Sequence, residues 1–407
     1  MCTIALVACC DTKYHELDFM KKFVQDSGHT PLVLDISTGP TVPMPGDITR
    51  EEILLQGGHS WEKVRLLSKS EAIGAMRESI SIVLPALCKN NKIDGVLGMG
   101  GLQNTVVCSA AFRLLPLGFP KLIISTIVSG YRYFDTVVGD KDITVVPSIV
   151  DFAGMNPISE AVLRNAAAAV IGMVEHGCKE INTEGRFLIG TTLMGITNDT
   201  VMAAANKLAA LGKEVISFHS TGTGGRIMEQ MIRDGYIKAV MDVTLHEMTA
   251  EYFGGYGYSK GANNRLMAAA ETGIPMLVCP GGIDFACLRT DELFKDEEER
   301  GYVWHNPELT HTRLYDNEIL DITRTIIERV NKSTGKVTVV LPMGGLRTLS
   351  SPGEPFFKPE TIRKMKGLFE NELSPQIRLY CTSYSFMDPE FADILVQEML
   401  ALLLEPV

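Results

Sequence analysis

Ile4-Ala5-Leu6-Val7-Ala8, then Cys9-Cys10-Asp11-Thr12-Lys13, then apolar residues at Leu17, Met20, Phe23 and Val24, then Gly28 and Pro31-Leu32-Val33-Leu34: this opening stretch decides the fold. A short apolar run bounded by a polar loop reads as a buried strand, and spacings of three and four residues place side chains on one face of a helix. Gly28 supplies a helix C-cap, after which the second apolar run returns as a strand. Strand, loop, helix, strand is the unit of a parallel sheet.

The same grammar recurs downstream, with a strand at 187–189, a loop at 190–197, a helix at 201–211, Gly212 and a strand at 215–218. Ile93-Asp94-Gly95-Val96-Leu97-Gly98 is echoed by Ile237-Lys238-Ala239-Val240-Met241-Asp242, and the run 118–124 by 273–279. The pattern predicts an α/β chain of two doubly wound, Rossmann-like subdomains with mostly parallel sheets, related by a pseudo-repeat. The polar stretch 178–185 reads as the linker, giving an N-terminal nucleotide-binding subdomain at 1–182 and a C-terminal one at 183–407. Ligands of such sheets lie beyond the carboxyl ends of the strands, so a cleft served by these loops is the expected site.

Composition narrows the function. The 407 residues carry a net charge of −11, which leaves no basic face for nucleic acid or anionic lipid. No apolar run approaches the roughly 20 residues of a membrane span; the Ala-rich stretch 161–174 stops at Glu175-His176. The N-terminal run lacks a basic leader and is read as a strand. Nine scattered cysteines without a CxxC pair suit a reducing, cytoplasmic compartment, as small buried hydrophobes rather than zinc ligands. Two segments break the alternation: 39–58, rich in Pro and Gly, is expected to be an irregular excursion, and 285–308 a surface insertion whose charge run 295–300 is solvated.

Three loops are candidates for an anion. Gly98-Met99-Gly100-Gly101-Leu102-Gln103-Asn104-Thr105 turns from a strand into a helix expected to begin near Thr105, and its open amides suit a phosphate, although it is neither a P-loop nor a full GxGxxG fingerprint. A tight turn that uses its glycines for packing is the plainer alternative. In the other half Thr221-Gly222-Thr223-Gly224-Gly225-Arg226 could bind a phosphate or carboxylate. Asp11-Thr12-Lys13 offers a Lys for phosphate charge and oxygens for a metal-bound water, or simply a helix cap. Catalytic candidates gather in the second half: Asp242, Thr244, His246 and Glu247 after one strand, Asp284 after the next, His219 before the second glycine loop, and Arg313 in the insertion. Carboxylates near a His and an Arg could supply acid, base and oxyanion clamp, and we take Asp242, Glu247, His219 and Arg313 as that set; no metal-ligand spacing is evident.

These motifs resemble the ATP-binding-domain-like family of the tomato mosaic virus resistance protein, whose bacterial and fungal relatives form an uncharacterised protein family. The resemblance rests on Asp11-Thr12-Lys13, Gly98-Met99-Gly100-Gly101, Ser125-Thr126, Ser129-Gly130, Pro147-Ser148-Ile149-Val150-Asp151, Phe218-His219-Ser220-Thr221-Gly222 and Ser351-Pro352-Gly353. It implies ATP as ligand, with Mg²⁺ as an option, a homodimer, and nucleotide contacts at Asp11, Thr12, Lys13, Gly98, Gly100, Gly101, Thr105, Ser125 and Thr126. Where the family usually carries a Ser-Gly-Gly stretch this chain has Leu102-Gln103-Asn104, which sets side chains where bare backbone would face a phosphate; Asn104 offers an amide instead. The leading expectation is a nucleotide-binding protein. The alternatives are a hydrolase- or lyase-type enzyme for a small carboxylate or phosphate, and a non-catalytic interaction protein.

Overall fold

The computed structural model describes residues 1–128, 137–178, 181–255 and 264–404. Ser129-Gly130 lies outside the described residues. The chain divides into two compact units, Met1–Asn182 and Thr183–Val407.

In the first unit β1 (Thr3–Ala8), β2 (Thr30–Asp35), β3 (Gly95–Gly100), β4 (Lys121–Ser125) and β5 (Thr144–Pro147) form one sheet in the order 2-1-3-4-5. Every pairing in it is parallel. Alternate strand residues feed two cores, as the two-residue period of a strand requires. Ile4, Leu6, Leu97, Met99, Leu122 and Ile124 pack on α1 (Tyr14–Asp26), while Ala5, Val7, Leu34, Val96 and Ile123 pack on the opposite face. That opposite face is covered by α2 (Arg50–Gln56), α3 (Trp61–Val64), α4 (Lys69–Lys89) and α5 (Leu102–Phe112). α6 (Pro157–His176) is long and apolar enough to cross a bilayer by length and composition, yet Leu163, Ala166, Ala167 and Val170 pack into the α1 face of the sheet.

The second unit repeats the winding. β6 (Leu188–Leu193), β7 (Glu214–His219), β8 (Ile237–Thr244) and β9 (Met276–Gly281) stand in the same relative order as β1 to β4, extended by β13 (Val337–Pro342) and β14 (Arg378–Thr382). α7 (Asn198–Ala210) and α14 (Pro389–Leu404) cover one face, and α8 (Thr223–Arg233), α12 (Asp316–Asn331) and α13 (Pro359–Glu372) the other. Two shorter helices, α9 (His246–Tyr252) and α10 (Met267–Thr272), follow β8.

Three expectations need correction. The 39–58 segment contains α2, because Thr49 and Glu52 form a reciprocal capping box that satisfies the first amides of that helix. The 285–308 segment is not a solvated insertion. β10 (Phe285–Arg289), β11 (Tyr302–Asn306) and β12 (Leu309–Arg313) make an antiparallel sheet, and Phe285 through Leu288 are buried. The charge run is solvated only in part: Lys295, Glu298 and Glu299 are exposed, whereas Arg300 makes a bidentate pair with Glu318, and Glu297, in α11 (Glu297–Arg300), accepts from Thr310 and Thr312. Charge alone could not reveal these partners, which lie 13 to 18 residues away. α5 begins at Leu102, three residues before Thr105, because Gly101 takes the cap position.

Candidate functional site

In the 2-1-3-4-5 order the chain reverses direction of winding between β1 and β3, and the crevice above that pair is where such sheets hold ligands. The loop 9–13 leaves β1 and the loop after Gly100 leaves β3, so the predicted anion loops at 11–13 and 98–105 both lie at this switch point. Two helices start there, α1 with Lys13 and α5 with Gly101 at the cap, and neither cap carries a side-chain hydrogen bond. The first amides of each helix therefore receive no bond from their own cap side chain, the situation in which a helix start suits an anion.

The surrounding side chains divide into holders and open groups. Thr105 and Ser125 are both 1% exposed and their hydroxyls lie 2.6 Å apart; Thr105 also donates to the Gly101 carbonyl at 2.9 Å and Ser125 accepts from the Ile127 amide at 3.2 Å. They fasten the ends of β3 and β4 together. Gly98 is a packing residue, since a Cβ there would meet Cys108 Sγ at 2.8 Å. Gly100 has φ +145°, and a Cβ on it would collide with Asn104. By contrast a Cβ on Gly101 meets only Thr126 Oγ1, at 3.7 Å, so packing does not require a glycine here. Asn104 turns inward, donating to the Met99 carbonyl at 3.1 Å and accepting from Cys9 Sγ at 2.6 Å, while Leu102 points to solvent. Of the three substituted positions, Leu102 and Asn104 thus turn away from the Gly101 backbone.

Asp11 accepts from the Gly39 amide at 3.0 Å through Oδ2, and its buried Oδ1 has no partner. Thr12 is exposed, and Lys13 Nζ donates to the Phe152 carbonyl at 2.5 Å. Next to them, burial and the charges of Asp11 and Asp35 push the Cys9 thiol well above its usual range, so it is no nucleophile. Ile149, in the loop after β5, is exposed and held at φ +65°, a conformation that a β-branched residue rarely adopts. Sequence reasoning quoted this stretch without finding that strain, which no composition signal reveals.

The second glycine loop follows β7, an edge strand, rather than the switch point. Its amides already hold an anion: Glu247 Oε1 accepts from Gly222 at 2.6 Å and Gly225 at 3.0 Å. Gly224 packs on the His219 backbone, and the Thr221 amide donates to the His219 carbonyl at 2.8 Å. Glu247 Oε2 meets Arg265 Nε at 2.6 Å, Asp242 takes both its Nη2 contacts at 2.8 and 2.9 Å, and Glu229 takes Nη1 at 2.6 Å. Arg265 is fully buried, and although burial opposes its charge, the three carboxylates hold it firmly protonated. Burial raises Glu229 and Glu247 above the usual carboxylate range despite that partner. Asp242 and Glu247 are therefore committed to an internal ion cluster. The structure records no contact joining them to His219, which is exposed, or to Arg313, which is buried on β12 and bonds the Leu314 carbonyl and Thr361. Sequence reasoning missed Arg265, whose partners lie 18 to 36 residues away. Among the described residues no three His, Cys, Asp or Glu side chains converge as metal ligands.

Two family models cover nearly the whole chain: the N-terminal domain of the uncharacterised protein family UPF0261 matches residues 2–179, and its C-terminal domain residues 186–403. The chain belongs to the UPF0261 family. A UPF0261 protein of Clostridium tetani is 33% identical over 402 residues, covering 98% of each chain. The tomato ToMV resistance protein Tm-1(GCR237) is 32% identical over 96% of this chain, which spans only 54% of that protein. Solved structures with some likeness include Acinetobacter baumannii MurG, at 12% identity and TM-score 0.23 over 98% of this chain and 93% of that one. Another is the Methanocaldococcus jannaschii UDP-GlcNAc 2-epimerase, at 8% identity and TM-score 0.22 over 98% and 99%. At these scores neither carries weight for ligand or reaction.

Proposed function

We propose that this UPF0261 protein binds a nucleotide, ATP with or without Mg²⁺, above the β1–β3 switch point of its first unit. The observation that carries the reading is the pair of helix N-termini at Lys13 and Gly101, which follow the paired strands β1 and β3, make no side-chain cap bond, and have room for a side chain at Gly101. Anionic phosphates suit such amides, Lys13 adds a positive charge at the same loop, and Asp11 Oδ1 is an oxygen to which a Mg²⁺-bound water can donate. Thr105, Ser125 and Asn104 act by shaping the loop. Calorimetry with ATP, ADP and AMP, each with and without Mg²⁺, tests this: saturable binding is expected, and absence of heat with all of them refutes it. The family resemblance also leads us to propose a homodimer, which light scattering giving a single-chain mass of 44.6 kDa would reject.

A further inference from the structure

We propose that Ile149 is the apolar wall on which the base of the bound nucleotide packs, an inference that rests on the nucleotide reading of the β1–β3 switch point. Ile149 holds a conformation whose strain its own unit does not offset. The Val150 amide donates to the Ser148 carbonyl at 2.7 Å, and Ile149 between them sits at φ +65°. A three-residue turn closed by that bond, with positive φ at its centre, is the rare and strained form of the γ-turn. Ser148 Oγ fastens it by donating to the Val150 carbonyl at 2.6 Å. Among the described residues four other than glycine have positive φ. Asn91 and Asn264 are of a type that tolerates it, and Leu266 is fully buried with its amide held by Glu229 at 2.6 Å. Ile149 is β-branched and 74% exposed, so neither residue type nor packing within the chain compensates. Strain held in this way collects at ligand clamps, where a bound molecule supplies the missing contact.

The bonds on either side of the turn tie it to the proposed phosphate site. On one side the Ser148 amide donates to the Ser125 carbonyl at 3.0 Å, and the Ser125 hydroxyl lies 2.6 Å from that of Thr105 in the first turn of α5. On the other, the Phe152 carbonyl accepts from Lys13 Nζ at 2.5 Å and the Gly154 amide donates to Glu16 Oε1 at 2.9 Å, both at the start of α1. Phe152 is itself buried in the core on the α1 face of the sheet. The strap from Ser148 to Phe152 therefore joins the two helix starts assigned to the phosphates, and its four peptide units reach at most about 14 Å. Along it Phe152 is buried, Val150 partly so, and Asp151 exposed but charged, which leaves Ile149 as the exposed apolar side chain. The amides and Lys13 suit the anionic end of a nucleotide; the face of its base is uncharged and gains by leaving water for an aliphatic surface.

The test is calorimetric titration of wild type and Ile149→Gly with ATP and with inorganic tripolyphosphate, each with Mg²⁺, alongside thermal unfolding without ligand. Glycine accepts positive φ without strain, so the variant should melt roughly 2–4 °C higher than wild type. Its ATP affinity should fall about tenfold, the loss of one aliphatic contact, while tripolyphosphate binds both proteins alike. Ile149→Asn, which also tolerates positive φ but adds no backbone freedom, should repeat the selective loss. A glycine variant that melts lower, keeps ATP affinity within about twofold, or loses tripolyphosphate equally overturns the proposal, as does an asparagine variant that binds ATP like wild type. Wild type binding ATP no more tightly than tripolyphosphate removes the base contact and leaves the phosphate site standing; wild type binding neither removes both.

Discussion

Replacing Arg265 with Met strips the shared counter-charge from Asp242, Glu229 and Glu247, all of them buried. Removing one partner of a buried ion pair costs about 3–5 kcal/mol, because the remaining charge is left desolvated and unpaired. For a unit of this size that corresponds to a fall of roughly 6–20 °C in melting temperature at neutral pH. The pH dependence is the sharper test. Glu229 and Glu247 already titrate above their ordinary range with Arg265 present, so without it they rise further. A carboxyl whose folded pKa exceeds its unfolded one stabilises the fold at low pH and loses that contribution as pH climbs through the folded value. The variant's deficit relative to wild type should therefore be largest near pH 8 and shrink toward pH 5, as the orphaned carboxyls take up protons. Urea unfolding of both proteins at pH 8, 6.5 and 5 measures it. A deficit under about 1 kcal/mol, or one that grows as pH falls, refutes the view that these acids depend on Arg265 for their charge.

Gly101→Ala should fold normally, since its Cβ finds open space, and should weaken nucleotide binding at least several-fold in calorimetry; Gly100→Ala, at φ +145° and against Asn104, should instead lose about 1–3 kcal/mol in urea unfolding. Thr49→Ala breaks the α2 capping box, with an expected loss of about 1 kcal/mol by denaturant titration. His246, lowered by burial to about 4, binds its proton less readily folded than unfolded, so it erodes stability as pH falls from about 6.5 toward 4. His246→Gln should flatten that limb by roughly 3 kcal/mol in chemical unfolding between pH 7.5 and 4. With Ellman's reagent at pH 7.5, exposed Cys178 should react first, while buried Cys108 and Cys279, their thiols pushed up by burial, should wait for denaturant.

Much of the architecture was legible because it is written locally. Val- and Ile-rich runs such as residues 4–8 can be buried strands, Leu17, Met20 and Val24 fix the helix face, and the echo of 93–98 in 237–242 gives β3 and β8 the same place in each sheet. Element edges were harder to read. Gly101 caps α5 through backbone conformation alone, so the start of that helix was placed late. The candidate site was half legible: glycine loops mark where amides are open, yet nothing local tells whether a distant side chain fills them. Gly101 and Gly222 look alike as text, but Glu247, 25 residues beyond Gly222, occupies one and leaves no trace near the other. Arg265 went unnoticed for the same reason, since an arginine's burial depends on acids brought to it by tertiary structure.

The carboxylate of Glu247 seated on the Gly222 and Gly225 amides makes the duplicated halves unequal. The later half comes with a tenant built into its own polypeptide, and the amides of Gly222 and Gly225 are thereby closed to an outside anion. If the proposed nucleotide site is right, a titration with a phosphate-bearing compound should therefore saturate at a single equivalent per polypeptide, despite the twofold repetition of the winding.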